Sequence, residues 1–209
     1  MGLDVYLYQF KDVDTDAILE LSRLVEEPCN NKEFEKWKAN KAERRQKLSF
    51  RAKELGFPEK RFSQPGFGGI QISFPSAKHP KWPVGQWYSL SSVRELMEFF
   101  TEKNIYFVFP EAEGDPWFLR PDWAASRKKL VDILRELEGV TPAHFQDYRA
   151  QFAKPNLPWD LLEKVKPEHL ATPSQMLAGD LAQIEVMIET LDHVLNHERP
   201  HEFLLRWSA

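Results

Sequence analysis

The sequence predicts an α+β fold: a small mixed or antiparallel sheet of about four to five strands packed with five to six helices, a long C-terminal helix among them. Three observations carry this expectation. Both ends of the chain alternate in a period of two, at Leu3, Val5 and Leu7 and again at Phe203, Leu205 and Trp207. Two later segments repeat apolar residues at helical spacing behind clear N-caps. Finally, 209 residues with 42% hydrophobic and 13% aromatic content, including seven Trp and fifteen Phe, suffice for one core built largely on rings and exclude global disorder. The organisation expected is a single α+β domain over 1–209, in which 32–56 is a charged helix that can protrude.

The first strand is followed by the acidic turn DVDTD and a short helix from Ala17 to Glu27, capped by Asp14 or Thr15 and closed by Pro28. Asn30 with Glu33 three residues on resembles a helix cap, and the charged stretch that follows ends at Gly56, a natural C-terminal stop. Its apolar positions, Phe34, Trp37, Leu48, Ala52 and Leu55, are sparse. A glycine- and proline-rich region then contains a strand at Ile70, Ile72 and Phe74. HPKWPVGQWYSLSS, residues 79–92, gives a short strand at Gln86 to Leu90 and a capping box at Ser92 and Glu95 heading a helix. That helix buries Val93, Leu96, Met97 and Phe100 and stops at Asn104. IYFVF, Ile105 to Phe109, is apolar throughout and reads as a central strand buried on both faces.

A short strand at Trp117 to Leu119 precedes a helix capped by Asp122, which runs to Gly139 on Leu130, Ile133, Leu134 and Leu137. Thr141 and Pro142 start another helix, through about Phe152. Thr172 and Gln175 form a second capping box. The long helix behind it carries a narrow seam of Leu177, Leu181, Ile184, Ile188, Leu191 and Leu195.

Charge is uneven within a net of −4: residues 32–61 hold eleven basic and five acidic groups, between acidic ends. Lys41, Arg44, Arg45, Lys47, Arg51 and Lys53 are the candidate basic surface, although the acidic balance of the whole chain disfavours nucleic acid. The lone Cys29 excludes an intramolecular disulfide, and no secretory pattern or membrane span is legible, so a cytoplasmic protein is expected. His193, His197 and His201 recur every fourth residue near Glu185 and Glu189 without the glutamate of a zinc-protease helix, and Pro200 interrupts them. They are read as a solvated face, with Glu185, Glu189 and His193 pointing outward, and no metal or cofactor is expected. PGFGGI at Pro65 to Ile70 precedes a strand rather than a helix and is read as a loop; DVDTD is read as a solvated turn.

The aromatic middle supplies the candidate binding residues: His79, Trp82, Trp87, Tyr88, Trp117, Arg120 and Asp122, on loops and element ends where function is commonly carried. MGLDVYLY, HPKWPVGQWYSLSS, the Asp122–Trp123 pair and FLLRWS together resemble a loose group of uncharacterised bacterial and phage proteins that begin with MGLD. The resemblance implies a prokaryotic or phage origin and an accessory role, and no reaction. Where such relatives carry an arginine and a downstream asparagine around the serines, this chain has Tyr88 and Leu90.

No catalytic signature is present, and whether the protein is an enzyme stays open. The leading expectation is an accessory protein that binds a macromolecular partner, a protein, through the aromatic middle or the basic helix Lys32 to Leu55. One alternative is a small-ligand enzyme or sensor with a pocket of His79, Tyr88, Arg120 and Asp122, His79 being a general base. The second alternative is nucleic-acid binding through 32–55. No membrane partner is expected.

Overall fold

The computed structural model describes residues 4–25, 40–57, 68–88, 90–113, 117–145 and 172–208. The expectations placed on Cys29, Asn30, Glu33, Phe34, Trp37, Pro65 to Phe67 and the helix beyond Phe145 lie outside these residues. The α+β architecture is as the sequence predicts. Strand β1 (Asp4–Gln9) pairs antiparallel with the last strand, β7 (Phe203–Ser208), over six residue pairs from Asp4↔Ser208 to Gln9↔Phe203. On its other side β1 pairs first with β5 (Gln86–Trp87) and then with β2 (Ile70–Ile72), while β6 (Phe118–Leu119) pairs with β7. The result is a five-stranded antiparallel sheet in the order β2-β1-β7-β6, joined by a separate hairpin of β3 (Phe74–Pro75) and β4 (Pro83–Val84).

Successive strand residues face opposite sides, so the register sorts the core into two layers. Val5, Leu7, Trp87, Leu119, Phe203, Leu205 and Trp207 belong to the larger core, shared with helices α3 (Ser91–Thr101), α4 (Ile105–Val108), α5 (Trp123–Leu137) and α6 (Pro173–Leu195). Tyr8, Phe10, Phe118 and Leu204 belong to the smaller one, with α1 (Thr15–Val25) and α2 (Lys41–Glu54).

Several local signals act as read. Asp14 caps α1, its Oδ1 accepting from the backbone N–H of Asp16 at 2.9 Å, and Asp122 caps α5, accepting from Ala125 N at 3.0 Å. Thr172 and Gln175 form the reciprocal capping box of α6. Gly56 closes α2 at φ +79°, a conformation that side chains disfavour.

Four expectations are corrected. Ile105 to Phe109 is not a strand: Asn104, expected to end α3, instead accepts from Phe107 N at 3.1 Å and starts the one-turn helix α4. Helical spacing then buries Ile105, Val108 and Phe109 and leaves Phe107 exposed. The central strand buried on both faces is β7, where Phe203, Leu204 and Leu205 are all fully buried. Ser92 does not cap α3, which begins one residue earlier and has no side-chain cap; its end is Glu102, in the left-handed region. The seam of α6 is broader than expected, because the helix is covered by α5, α3 and β4: Met187 and Val194 join Leu177, Ile184 and Leu191 inside, Leu181 and Ile188 are half-buried, and Leu195 is exposed.

Buried Thr190 on α6 ties the two core elements together. Its hydroxyl donates to Val186 O and accepts from Gly85 N at 3.0 Å and Trp87 Nε1 at 3.3 Å. Gly85 itself sits at φ +86°, its carbonyl accepting from Leu7 N where β1 changes partners, and a Cβ there would collide with the Ile72 carbonyl oxygen. Ser22 of α1 plays the same part on the other layer, donating to Phe118 O and accepting from Phe118 N at the sheet edge.

Thr190→Val keeps the shape and removes the hydroxyl, leaving two buried N–H donors unpaired. Chemical denaturation should show a loss of about 2 kcal/mol, with Thr190→Ser recovering most of it.

Candidate functional site

The segment 79–92 divides between core and surface. Trp87 is buried and stacks on Phe109 at 5.8 Å, and Val84 and Leu90 are buried beside it. Trp82 is half-buried against the larger core and lies over Gly179 of α6. Tyr88, two residues from Gln86 on the same side of β5, faces outward and is 45% exposed.

The turn before these residues is clamped to α6 by two glutamates. Glu189 accepts from Ser76 Oγ at 2.5 Å and from Ala77 N at 2.9 Å; Ser76 Oγ in turn accepts from His79 N at 3.0 Å. Glu185 pairs with the His79 ring Nε2 and with Lys78 Nζ at 3.4 Å. Glu185 and Glu189 are therefore half-buried anchors and not members of a solvated face, because the loop from β3 covers that side of the helix. His193 is likewise enclosed, its ring 5.0 Å from Phe74 and 5.8 Å from Phe203, and burial with His197 nearby pushes its pKa below the usual imidazole value. Among the described residues no group of His, Cys, Asp and Glu could hold a metal ion.

Arg120 donates to Asp16 Oδ1 at 2.6 Å, to Thr15 Oγ1 and to the His201 carbonyl, so it braces the start of α1. Asp122 is the cap of α5. Among the described residues no hydrogen bond, ion pair or ring contact joins any two of His79, Tyr88, Arg120 and Asp122. On the basic helix, Lys47 pairs with Glu43 at 2.7 Å and Arg51 with Glu20 and Glu54 at 2.5 and 2.9 Å. Lys53 is exposed, and the side chains of Lys41, Arg44 and Arg45 lie outside the description.

The residues that do converge lie on the second face of the sheet, towards the start of β1. Register places Gln86, Tyr6, Arg206 and Phe118 in one row across four strands. Tyr6 meets Tyr88 edge to face at 5.9 Å, and the Tyr88 hydroxyl donates to Gln86 Oε1. Arg206 lies 5.7 Å over the Trp117 ring and donates from Nη1 to the Tyr8 hydroxyl at 3.4 Å; that hydroxyl donates to Gln71 Oε1 at 3.3 Å. Partial burial, with Asp4 and Tyr88 close by, raises the Tyr6 phenol above its ordinary pKa, so it stays a neutral donor. Arg206 pairs with no carboxylate among the described residues, and its buried Nε has no hydrogen-bond partner.

Tyr88 and Trp117 of this cluster were singled out from sequence. Tyr6 and Arg206 were not, although the even-numbered positions of β1 and β7 carry the signal once the two strands are known to pair. Compared with protein-family models, curated proteins and solved structures, the chain matches none.

Trp87→Ala should cost about 3–5 kcal/mol in denaturant unfolding, whereas Tyr88→Ala should stay within about 0.5 kcal/mol. For Glu185, burial pushes the carboxyl up, but His79 and Lys78 outweigh it and hold the pKa below the usual carboxylate range. Its stabilising contribution is therefore complete above the unfolded pKa and lost as pH falls through the lowered folded one. The stability gap between the wild type and Glu185→Gln should shrink on acidification across and below the ordinary carboxylate range, measured as unfolding midpoints.

Proposed function

We propose that this protein is an accessory protein that acts by binding another protein, and that the partner seats on the Tyr6, Tyr88, Trp117 and Arg206 face. Tyrosine, tryptophan and arginine are the side chains that most often dominate binding energy at protein interfaces, since each offers large contact area and a polar tip. The observation that carries the reading is Arg206, a cation held over Trp117 with no carboxylate among the described residues. A partner that presents a carboxylate to this guanidinium and an apolar or aromatic group to Tyr6 and Tyr88 satisfies both halves of the face. Gln71 and Gln86 at its margin supply amides for the partner's polar groups.

The two rival readings have less support. The pocket residues His79, Arg120 and Asp122 are each engaged in bracing a turn or a helix start. On the basic helix, Arg51 and Lys47 are neutralised by glutamates. Among the described residues no helix is long and apolar enough to cross a membrane.

Photocrosslinking tests the proposal. Benzoylphenylalanine in place of Tyr88 should give a discrete adduct with a protein from the source cells, reduced at least about tenfold by Arg206→Glu, and absent when the probe replaces the exposed Glu138. An adduct indifferent to Arg206, or equal from both positions, overturns it. So does saturable quenching of tryptophan fluorescence by oligothymidylate, with steep salt dependence and no protein adduct, which would favour single-stranded nucleic acid.

A further inference from the structure

At the opposite end of the β1–β7 pair, the loop after β1 and the loop before β7 flank an open polar cleft of about 300 Å³, lined by Gln9, Lys11, Asp12, His197, Glu198, Arg199 and Glu202. This is the lower end of the size range of small-molecule sites. We infer that the cleft binds a small zwitterion, a molecule of the free amino acid class with an ammonium and a carboxylate group.

The floor of the cleft is built before any ligand arrives. Glu202 is buried, with a side chain only 8% exposed, and both carboxylate oxygens are committed: Oε2 accepts from Gln9 Nε2 at 3.0 Å and Oε1 from Arg199 Nη1 at 3.1 Å. Glu202 O accepts from Phe10 N at 2.8 Å, so the same residue locks the two loops together through its backbone. A charge this enclosed is stable only with its partners in place, which makes the floor rigid. His197 is fixed as well: its ring stands edge-on to Phe203 at 4.8 Å, and its Nδ1 accepts from Arg199 N at 3.1 Å. In the neutral ring the proton therefore sits on Nε2, as a donor.

Three exposed charges on the rim, those of Lys11, Asp12 and Glu198, form no ion pair among the described residues. Asp12 is held in the left-handed region at φ 57°. A plain anion entering the cleft meets three carboxylates, and a plain cation meets Lys11 and Arg199. A zwitterion escapes both penalties, its carboxylate complemented by the cations of the lining and its ammonium by the carboxylates. A metal ion is a poorer fit, because Glu202 already holds Gln9 and Arg199 and the described residues contain no metal-binding group of three. The site shares no residue with the Tyr6–Arg206 face, so it stands or falls independently of the partner proposal.

The test is a heteronuclear NMR titration of the full chain with L-glutamine, and with n-butylamine and butyrate as probes of each charge alone. L-glutamine should shift the amides of residues 9–12 and 197–202 saturably, while the two single-charge probes leave them nearly unmoved at equal concentration. Lys11→Ala should weaken binding about tenfold, as should Asp12→Asn, which retains a side chain that tolerates the left-handed backbone. Unchanged spectra outside the cleft establish that both variants fold. The inference is overturned if L-glutamine and the remaining standard amino acids give no saturable shifts in these loops up to tens of millimolar, or if butyrate or butylamine alone matches them.

Discussion

Everything in this molecule depends on the pairing of its first strand with its last. Six residues at the start of the chain align with six at its end, from Asp4↔Ser208 to Gln9↔Phe203. Joining segments so far apart costs chain entropy that grows only with the logarithm of separation, about 5 kcal/mol for a loop of this length beyond the constant term. Ladder hydrogen bonds alone do not repay that in water. Burial does: Phe203, Leu204 and Leu205 are fully enclosed because helices cover both sides of β7. The two layers of helices and the terminal strand pair therefore stabilise one another, and neither layer has a template without the pair.

Polar groups then set how the helices sit on that template. Apolar contact is tolerant of small slides, whereas a buried hydroxyl with three partners is not. Thr190 fixes α6 against Gly85 and Trp87, Ser22 fixes α1 against Phe118, and Ser126 of α5 donates to Val108 O at 2.8 Å. Glu185 and Glu189 extend the same principle to the surface by holding the 76–79 turn. The acidic, histidine-bearing side of α6 thus serves to dock a loop, and among the described residues no three such side chains are grouped to hold a metal ion.

How much of this was legible follows from the range of each signal. Caps at Asp14, Asp122 and Thr172 need only three or four neighbouring residues, and all three form as the sequence indicates. The period-two runs at both termini also reveal themselves locally. IYFVF misled because a short apolar run looks the same in a buried strand and in a buried helical turn; the deciding residue was Asn104, equally suited to end one helix or begin another. FLLRWS concealed the opposite fact. Its alternation of Phe203, Leu205 and Trp207 suggested one buried face, and only the helices across the sheet, remote in sequence, bury Leu204 as well. The candidate face was half legible: Tyr88 and Trp117 stood out as loop aromatics, whereas Tyr6 and Arg206 gain meaning only through a register that links residues two hundred positions apart.

The location of that face follows from the strand register and from where the second layer of helices packs. Strands β1 and β7 each span about 20 Å, and on the second side α1 and α2 pack over the end that carries Tyr8, Phe10 and Leu204. The smaller core collects Tyr8, Phe10, Phe118 and Leu204, with Tyr6 and Trp117 half-buried against its margin, and Gln86 and Arg206 complete the row of Tyr6 across the sheet. An apolar residue at these positions would create an exposed patch that favours aggregation. Tyrosine, glutamine and arginine keep this half-buried margin hydrated while retaining large planar surfaces. The same geometry leaves Arg206 above Trp117, where the ring compensates part of the lost hydration of a cation without neutralising it. That charge pairs with no carboxylate among the described residues, and its contacts there are the Trp117 ring and the Tyr8 hydroxyl.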